Sequence, residues 1–248
     1  MSDWPILEYD PNPDAILMPR HDGLHIALPE VAVFAFVGEL VEDWAREREL
    51  PLLGVFDTIT KDFPIYRYSD KVCLCQAPLG ASAAAQFMDW LIAYGVNRIV
   101  STGSCGVLVD LPENAFILPR RALRDEGTSY HYLPPSRWVE LDAGMQARIA
   151  DALRREGVPF VECDTWTTDG FFRETADRTA RRRAEGCGVV EMECAALAAC
   201  ARFRGAAFGQ FFFTADSLAD ADAHDTRGWG RASLLPALEL CLKVAEEA

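Results

Sequence analysis

Val190-Glu191-Met192-Glu193-Cys194-Ala195-Ala196-Leu197 sets two carboxylates around a methionine, at the junction of an apolar run and an alanine-rich run. A carboxylate accepts paired hydrogen bonds from neighbouring hydroxyls, and a methionine offers a ring an apolar, polarizable face. Together they suit a grip on a sugar. The same acids also suit a plainer task, complementing the partial positive charge of a helix N-terminus. Local sequence leaves both readings open.

The elements around this junction alternate in type. Val31-Ala-Val-Phe-Ala-Phe-Val37 is a continuous apolar run of strand length, as in a strand buried on both faces; Gly38 ends it, and residues 39–48 read as a helix. Lys71–Ala77 is a second such strand, Pro78-Leu79-Gly80 a turn, and Ser82 opens a helix with Phe87, Trp90, Leu91 and Tyr94 on one face, closed by Gly95. Arg98–Ser101 reads as a strand running into the small-residue loop Thr102–Gly106. Ala207–Thr214 reads as a strand that stops at Ala215-Asp216-Ser217. Leu234, Leu238 and Leu242 recur at helical spacing near the C-terminus. Such alternation predicts a mixed, largely parallel sheet covered by helices on both faces, with ligands at the strand ends. Gly38–Glu42, Pro78–Ser82, Thr102–Gly106, Glu191–Glu193 and Asp216 are then expected on one rim.

The chain has 248 residues, half of them hydrophobic, which predicts one large α/β domain over 31–248. The proline-rich residues 1–30 are expected to form an arm that wraps the domain or reaches a neighbour. A net charge of −14 argues against nucleic acid or an anionic membrane surface as partner, though not against a small nucleoside. No apolar run is long enough to span a bilayer and no signal-peptide pattern opens the chain, so a cytoplasmic protein is expected. Eight cysteines are then expected as free thiols, and four histidines without ligand spacing argue against a metal site. Trp138, Trp166 and Trp229 are expected either to shape a pocket or to fill core.

Four stretches, in this order, resemble the nucleoside phosphorylase superfamily of purine nucleoside phosphorylases, uridine phosphorylases and methylthioadenosine/homocysteine nucleosidases. They are Leu79-Gly-Ala-Ser-Ala-Ala-Ala, Ser101-Thr-Gly-Ser-Cys-Gly, Asp169-Gly-Phe-Phe-Arg-Glu and Glu191-Met-Glu-Cys-Ala-Ala. Arg124–Tyr132 looks most like the uridine phosphorylase branch. The resemblance implies a three-layer αβα sandwich around a twisted mixed sheet, and a homo-oligomer. It also implies ribosyl transfer from a base to phosphate, or to water, without a cofactor. In such a reaction the sugar develops oxocarbenium character and the base leaves with negative charge.

By the same resemblance Glu193 binds the ribose 2′- and 3′-hydroxyls, Met192 lies under the sugar and Glu191 is the neighbouring acid. Phe171 stacks on the base, with Phe172 and Arg173 beside it. Asp216 matches the aspartate that assists departure of a purine; the uridine branch lacks it. His25 is a candidate to reach the neighbouring subunit's site. Gly38, Gly103 and Ser104 belong to the nucleophile loops. Where phosphorylases carry arginines, this chain has Glu42 and Ser101, and Arg67 is only a loose candidate for a third. A phosphate dianion is usually held by guanidinium forks, whereas nucleosidases carry a glutamate at the place of Glu42 that helps activate water. The expectation is therefore hydrolysis of a purine-like nucleoside with Glu42 as base. Phosphate as co-substrate, and a nucleoside-binding protein without turnover, are the alternatives.

Overall fold

Along the chain the strands are β1 (Val31–Phe36), β2 (Leu52–Phe56), β3 (Phe63–Arg67), β4 (Val72–Gln76), β5 (Arg98–Val107), β6 (Phe116–Asp125), β7 (Trp138–Glu140), β8 (Phe160–Thr168), β9 (Cys187–Glu191) and β10 (Ala207–Ser217). The helices are α1 (Leu40–Glu47), α2 (Ala81–Ala93), α3 (Ser129–Tyr132), α4 (Ala143–Arg155), α5 (Ala176–Ala184), α6 (Cys194–Arg204) and α7 (Leu234–Glu247). This computed structural model describes residues 3–21, 23–220 and 223–248. Before β1 the described chain holds one short 3-10 turn, Pro5–Leu7.

The uniformly apolar β1 is buried from Val31 to Ala35 because it is central, parallel to β4 on one side and to β5 on the other. The sheet runs β10–β6–β8–β9–β5–β1–β4–β3–β2, with β7 on β6. In addition β10 pairs with β5, so the first five strands of that path close into a ring. Helices cover both faces. Phe87 and Leu91 of α2 and Leu197 of α6 pack one core, while Trp44 of α1, Ile149 of α4 and Leu238 and Leu242 of α7 pack the other. This is the expected three-layer αβα arrangement, with ring closure added.

Two strands run further than expected. β5 stays extended through Thr102–Gly106, where a loop was predicted, because its two ends serve different partners. Phe36 of β1 pairs with Gly103, and Val190 of β9 pairs with Gly106. The ladders part between those two points. β10 likewise continues to Ser217, with a register shift between Thr214 and Ser217 that puts Ala215 and Asp216 in a bulge.

Candidate active site

A cavity of about 730 Å³ opens where β1 and β9 diverge on β5. Phe36 ends β1, Gly103 to Gly106 lie in β5, Asp169 to Glu174 follow β8, Glu191 ends β9, and Ala215 and Asp216 bulge from β10; all line it. These are carboxyl ends of strands, where an open α/β sheet binds ligands. Glu191, Met192, Glu193, Phe171, Phe172, Arg173, Asp216, Gly103 and Ser104 are thus brought together.

The two acids of the opening junction take different partners. Glu191 is buried and serves the protein. Its Oε2 accepts from the N–H groups of Glu193 and Cys194, both at 2.7 Å, and its Oε1 from the hydroxyls of Thr167 at 2.6 Å and Thr165 at 3.2 Å. It therefore caps the start of α6. Burial raises its pKa against the pull of those four bonds. Glu193 reaches across instead, its Oε1 accepting from the N–H of Gly80 at 2.6 Å. Gly80 can present that amide because it turns at φ 93° just ahead of α2. Burial, and then the charge of Glu191, push Glu193 up to about 8. The amide just ahead of α2 is thus occupied by this carboxylate.

Asp216 is 6% exposed, and its Oδ2 lies 2.8 Å from Nε2 of His224. A Cβ on Gly106 would stand 3.1 Å from its Oδ1, so the second glycine of the Ser101–Gly106 stretch leaves room for this carboxylate. Phe171 forms an edge contact with Phe172, centroids 5.0 Å apart, and lies 6.4 Å from the Trp229 ring. Trp229 is delivered by four consecutive left-handed residues, Arg227 (φ 44°), Gly228 (58°), Trp229 (58°) and Gly230 (64°). Of the other tryptophans, Trp166 is core and Trp138 packs under Arg121.

Three expected residues do not line the cavity. Glu42 lies on the flank of α1 that faces Lys61, with Oε1 3.2 Å from the ammonium. Gly38 forms the exposed turn into α1, and His25 is exposed in the N-terminal segment. Ser101, at the place of a phosphorylase arginine, is fully buried and donates to the Phe34 carbonyl at 2.7 Å, joining β5 to β1. The uridine-branch-like segment also serves the fold. Arg124 donates to Ser129, Leu133, Pro134 and Ser136, and burial lowers its pKa.

Sequence reasoning missed three cavity or near-cavity groups and left a fourth undecided. Glu174 closes the quoted Asp169–Glu174 stretch, which was its only signal; burial, then Asp216, push it up to about 7. Gln210 lines the cavity from β10, its Oε1 buried and without a hydrogen-bond donor among the described residues. Trp229 was left between pocket and core. His224 was one of four histidines and had no spacing signal.

Among the described lining residues Asp169, Glu174, Glu191, Glu193 and Asp216 are acids, and Arg173 is the one cation. No group of histidine, cysteine, aspartate and glutamate suited to a metal ion occurs among the described residues. None of their helices is long and apolar enough to cross a membrane.

Fold and cavity together define an α/β protein with a large cavity at the strand ends of a partly closed sheet. Residues 30–238 match the sequence profile of the phosphorylase superfamily, and the chain belongs to that family. Comparison with curated proteins finds no match. Among solved structures the chain is similar to the AMP nucleosidase of Bacteroides thetaiotaomicron, at 19% identity and TM-score 0.72, covering 89% of this chain and 88% of that one. It is similar to the 5′-methylthioadenosine/S-adenosyl homocysteine nucleosidase of Campylobacter jejuni, at 13% identity and TM-score 0.74, covering 89% and 100%. It is also similar to the futalosine hydrolase of Helicobacter pylori, at 16% identity and TM-score 0.73, covering 89% and 98%.

Proposed function

We propose that this protein hydrolyses the N-glycosidic bond of a nucleoside with a purine-like base, with water rather than phosphate as nucleophile. The observation that carries the choice of nucleophile is the lining of the cavity: five acidic side chains surround a single guanidinium. A phosphate dianion there has one exposed arginine to hold it, where several guanidinium forks are usual. The buried Ser101 and the occupied amide of Gly80 remove two further places for an anion. Ser104 and the unpartnered Oε1 of Gln210 are neutral polar groups, suited to seating a water.

Glu193 and Met192 hold the ribose, Phe171 stacks on the base, and Asp216 gives the departing base a proton. Barrier lowering then comes from neutralising the leaving base beside an oxocarbenium-like sugar. Water needs little activation to trap such a centre, so the reading does not depend on Glu42. Membership of the superfamily and the nucleosidases among the similar structures support it.

The test is base release from methylthioadenosine, inosine, uridine, AMP and futalosine, with and without phosphate, the sugar product being weighed by mass spectrometry. Free ribose or its 5′-substituted form, released at a rate that phosphate does not change, is expected. A ribose 1-phosphate product that requires phosphate overturns the choice of water. Tight binding without base release overturns the enzyme.

A further inference from the structure

Asp216 is half of a pair that bridges two spaces. A second chamber of about 510 Å³ shares Phe171, Glu174, Asp216 and Trp229 with the first, and His224 lines only this outer one. The His224 side chain is 46% exposed and that of Asp216 8%. One group of the pair thus belongs to solvent and the other to the cavity. The Asp216 oxygen on His224 is Oδ2, which leaves Oδ1 toward Gly106 and the cavity. The Trp229 ring, 5.7 Å from His224, holds the imidazole from the side. Glu174, Asp216 and Asp220 are the charged groups facing His224 in that chamber, and no lysine or arginine lines it among the described residues.

We propose that His224 is a positioning residue that feeds protons from solvent to Asp216, so that the acid is recharged after each turnover without opening the sugar site. The proposal rests on the reading of Asp216 as the donor to the leaving base. As the glycosidic C–N bond breaks, its electron pair goes to the base, and Asp216 passes a proton to the base nitrogen. The Nε2–H of the His224 imidazolium then reprotonates the carboxylate. The imidazole regains a proton from water in the outer chamber as the ring turns. The water that adds to the anomeric carbon releases its own proton to solvent. One water is consumed, sugar and protonated base are formed, and nothing is oxidised or reduced.

Wild type, His224→Gln, His224→Ala and Glu174→Gln are to be compared from pH 5 to 10 on two substrates. One is the nucleoside of the panel that is cleaved fastest; the other is a nitrophenyl riboside, whose leaving group departs without a proton. The expected loss for His224→Gln is about 10- to 100-fold in kcat on the nucleoside, with KM nearly unchanged. The alkaline limb of its kcat profile is displaced, cleavage of the nitrophenyl riboside is kept, and added imidazole restores His224→Ala. A wild-type kcat and pH profile in His224→Gln overturns the proposal. Equal losses on both substrates without imidazole rescue overturn it too, and mean that His224 only latches its loop. Loss of the alkaline limb in Glu174→Gln but not in His224→Gln moves the proton route to Glu174. A wild type that cleaves neither substrate fails at the earlier step and takes the hydrolase reading down with this one.

Discussion

Glu191 and Glu193 show how two identical side chains, two positions apart, come to do different work. Four protein donors saturate Glu191, while Glu193 is held between the starts of α2 and α6 with its head at the cavity. Burial lifts Glu193 to about 8 from an ordinary 4.5, so the folded protein binds a proton there that the unfolded chain releases. The stability this contributes is full below about pH 4.5 and is lost as pH rises through about 8. Glu193→Gln keeps the shape and removes the charge. Its melting temperature relative to wild type should therefore rise from pH 5 to pH 9. Its kcat/KM relative to wild type should fall about 10- to 100-fold at pH 9, where the native carboxylate is ionised, the worth of a hydrogen bond to a charged group, and fall less at pH 6. A relative melting temperature that does not change with pH would show that Glu193 does not hold a raised pKa.

At the scale of elements, the site is made by strands that end or misalign. β5 changes partner between Gly103 and Gly106, and β10 bulges at Ala215 and Asp216. Gly106 is where these irregularities touch. An added Cβ there meets Leu218 Cδ1 at 2.9 Å, with Asp216 Oδ1 and Val190 Cγ1 both at 3.1 Å. Gly106→Ala should cost about 1–3 kcal/mol of stability by overpacking. On the proposed roles it should also lower kcat more than it raises KM, because the displaced group is Asp216 rather than Glu193; thermal melts and steady-state kinetics read both. The left-handed run Arg227–Gly230 is the other special element. A bulky residue at positive φ costs on the order of 1–2 kcal/mol and persists where surrounding contacts hold it. Here Trp229 N–H donates to the Thr226 carbonyl at 2.7 Å, and the Arg227 guanidinium donates to the Leu111 carbonyl at 2.8 Å. Those anchors set the indole at the boundary of the two chambers.

At the scale of the molecule, ring closure by β10 on β5 brings Asp216 beside residues of β5 and β9 that are far from it in sequence. The N-terminal segment runs over the outside. Pro13 receives a hydrogen bond from Arg204 at 2.8 Å, and Arg20 lies 5.1 Å over the Tyr94 ring. It leaves Trp4, Ile16 and Leu17 exposed, and Ile59 is exposed in the β2–β3 connection. Exposed apolar groups of this size suit contact with another copy of the chain. Light scattering should give a mass of twice 27.5 kDa or more, and a mass of 27.5 kDa would show that the site is complete in one chain.

The sequence by itself determined the periodicities and hence the elements: the unbroken apolar run of β1, the glycine turn ahead of α2, the strand-to-helix junction at Glu191–Glu193 and the alternation that makes three layers. These are local properties, set by side chains within a few residues of one another. It also disclosed the family, because the quoted stretches occur in order. The tertiary structure alone decided which acid caps α6 and which faces the cavity, since the donors that separate them come from β8 and from Gly80. It turned Glu42 toward Lys61 and buried Ser101 against β1. It also joined His224 to Asp216, a contact made by the bulge in β10 and the bridge from Ser217 to Asp225. Side-chain direction at a strand end depends on register and twist. Those are fixed by pairing between segments distant in sequence, so no spacing within one segment records them.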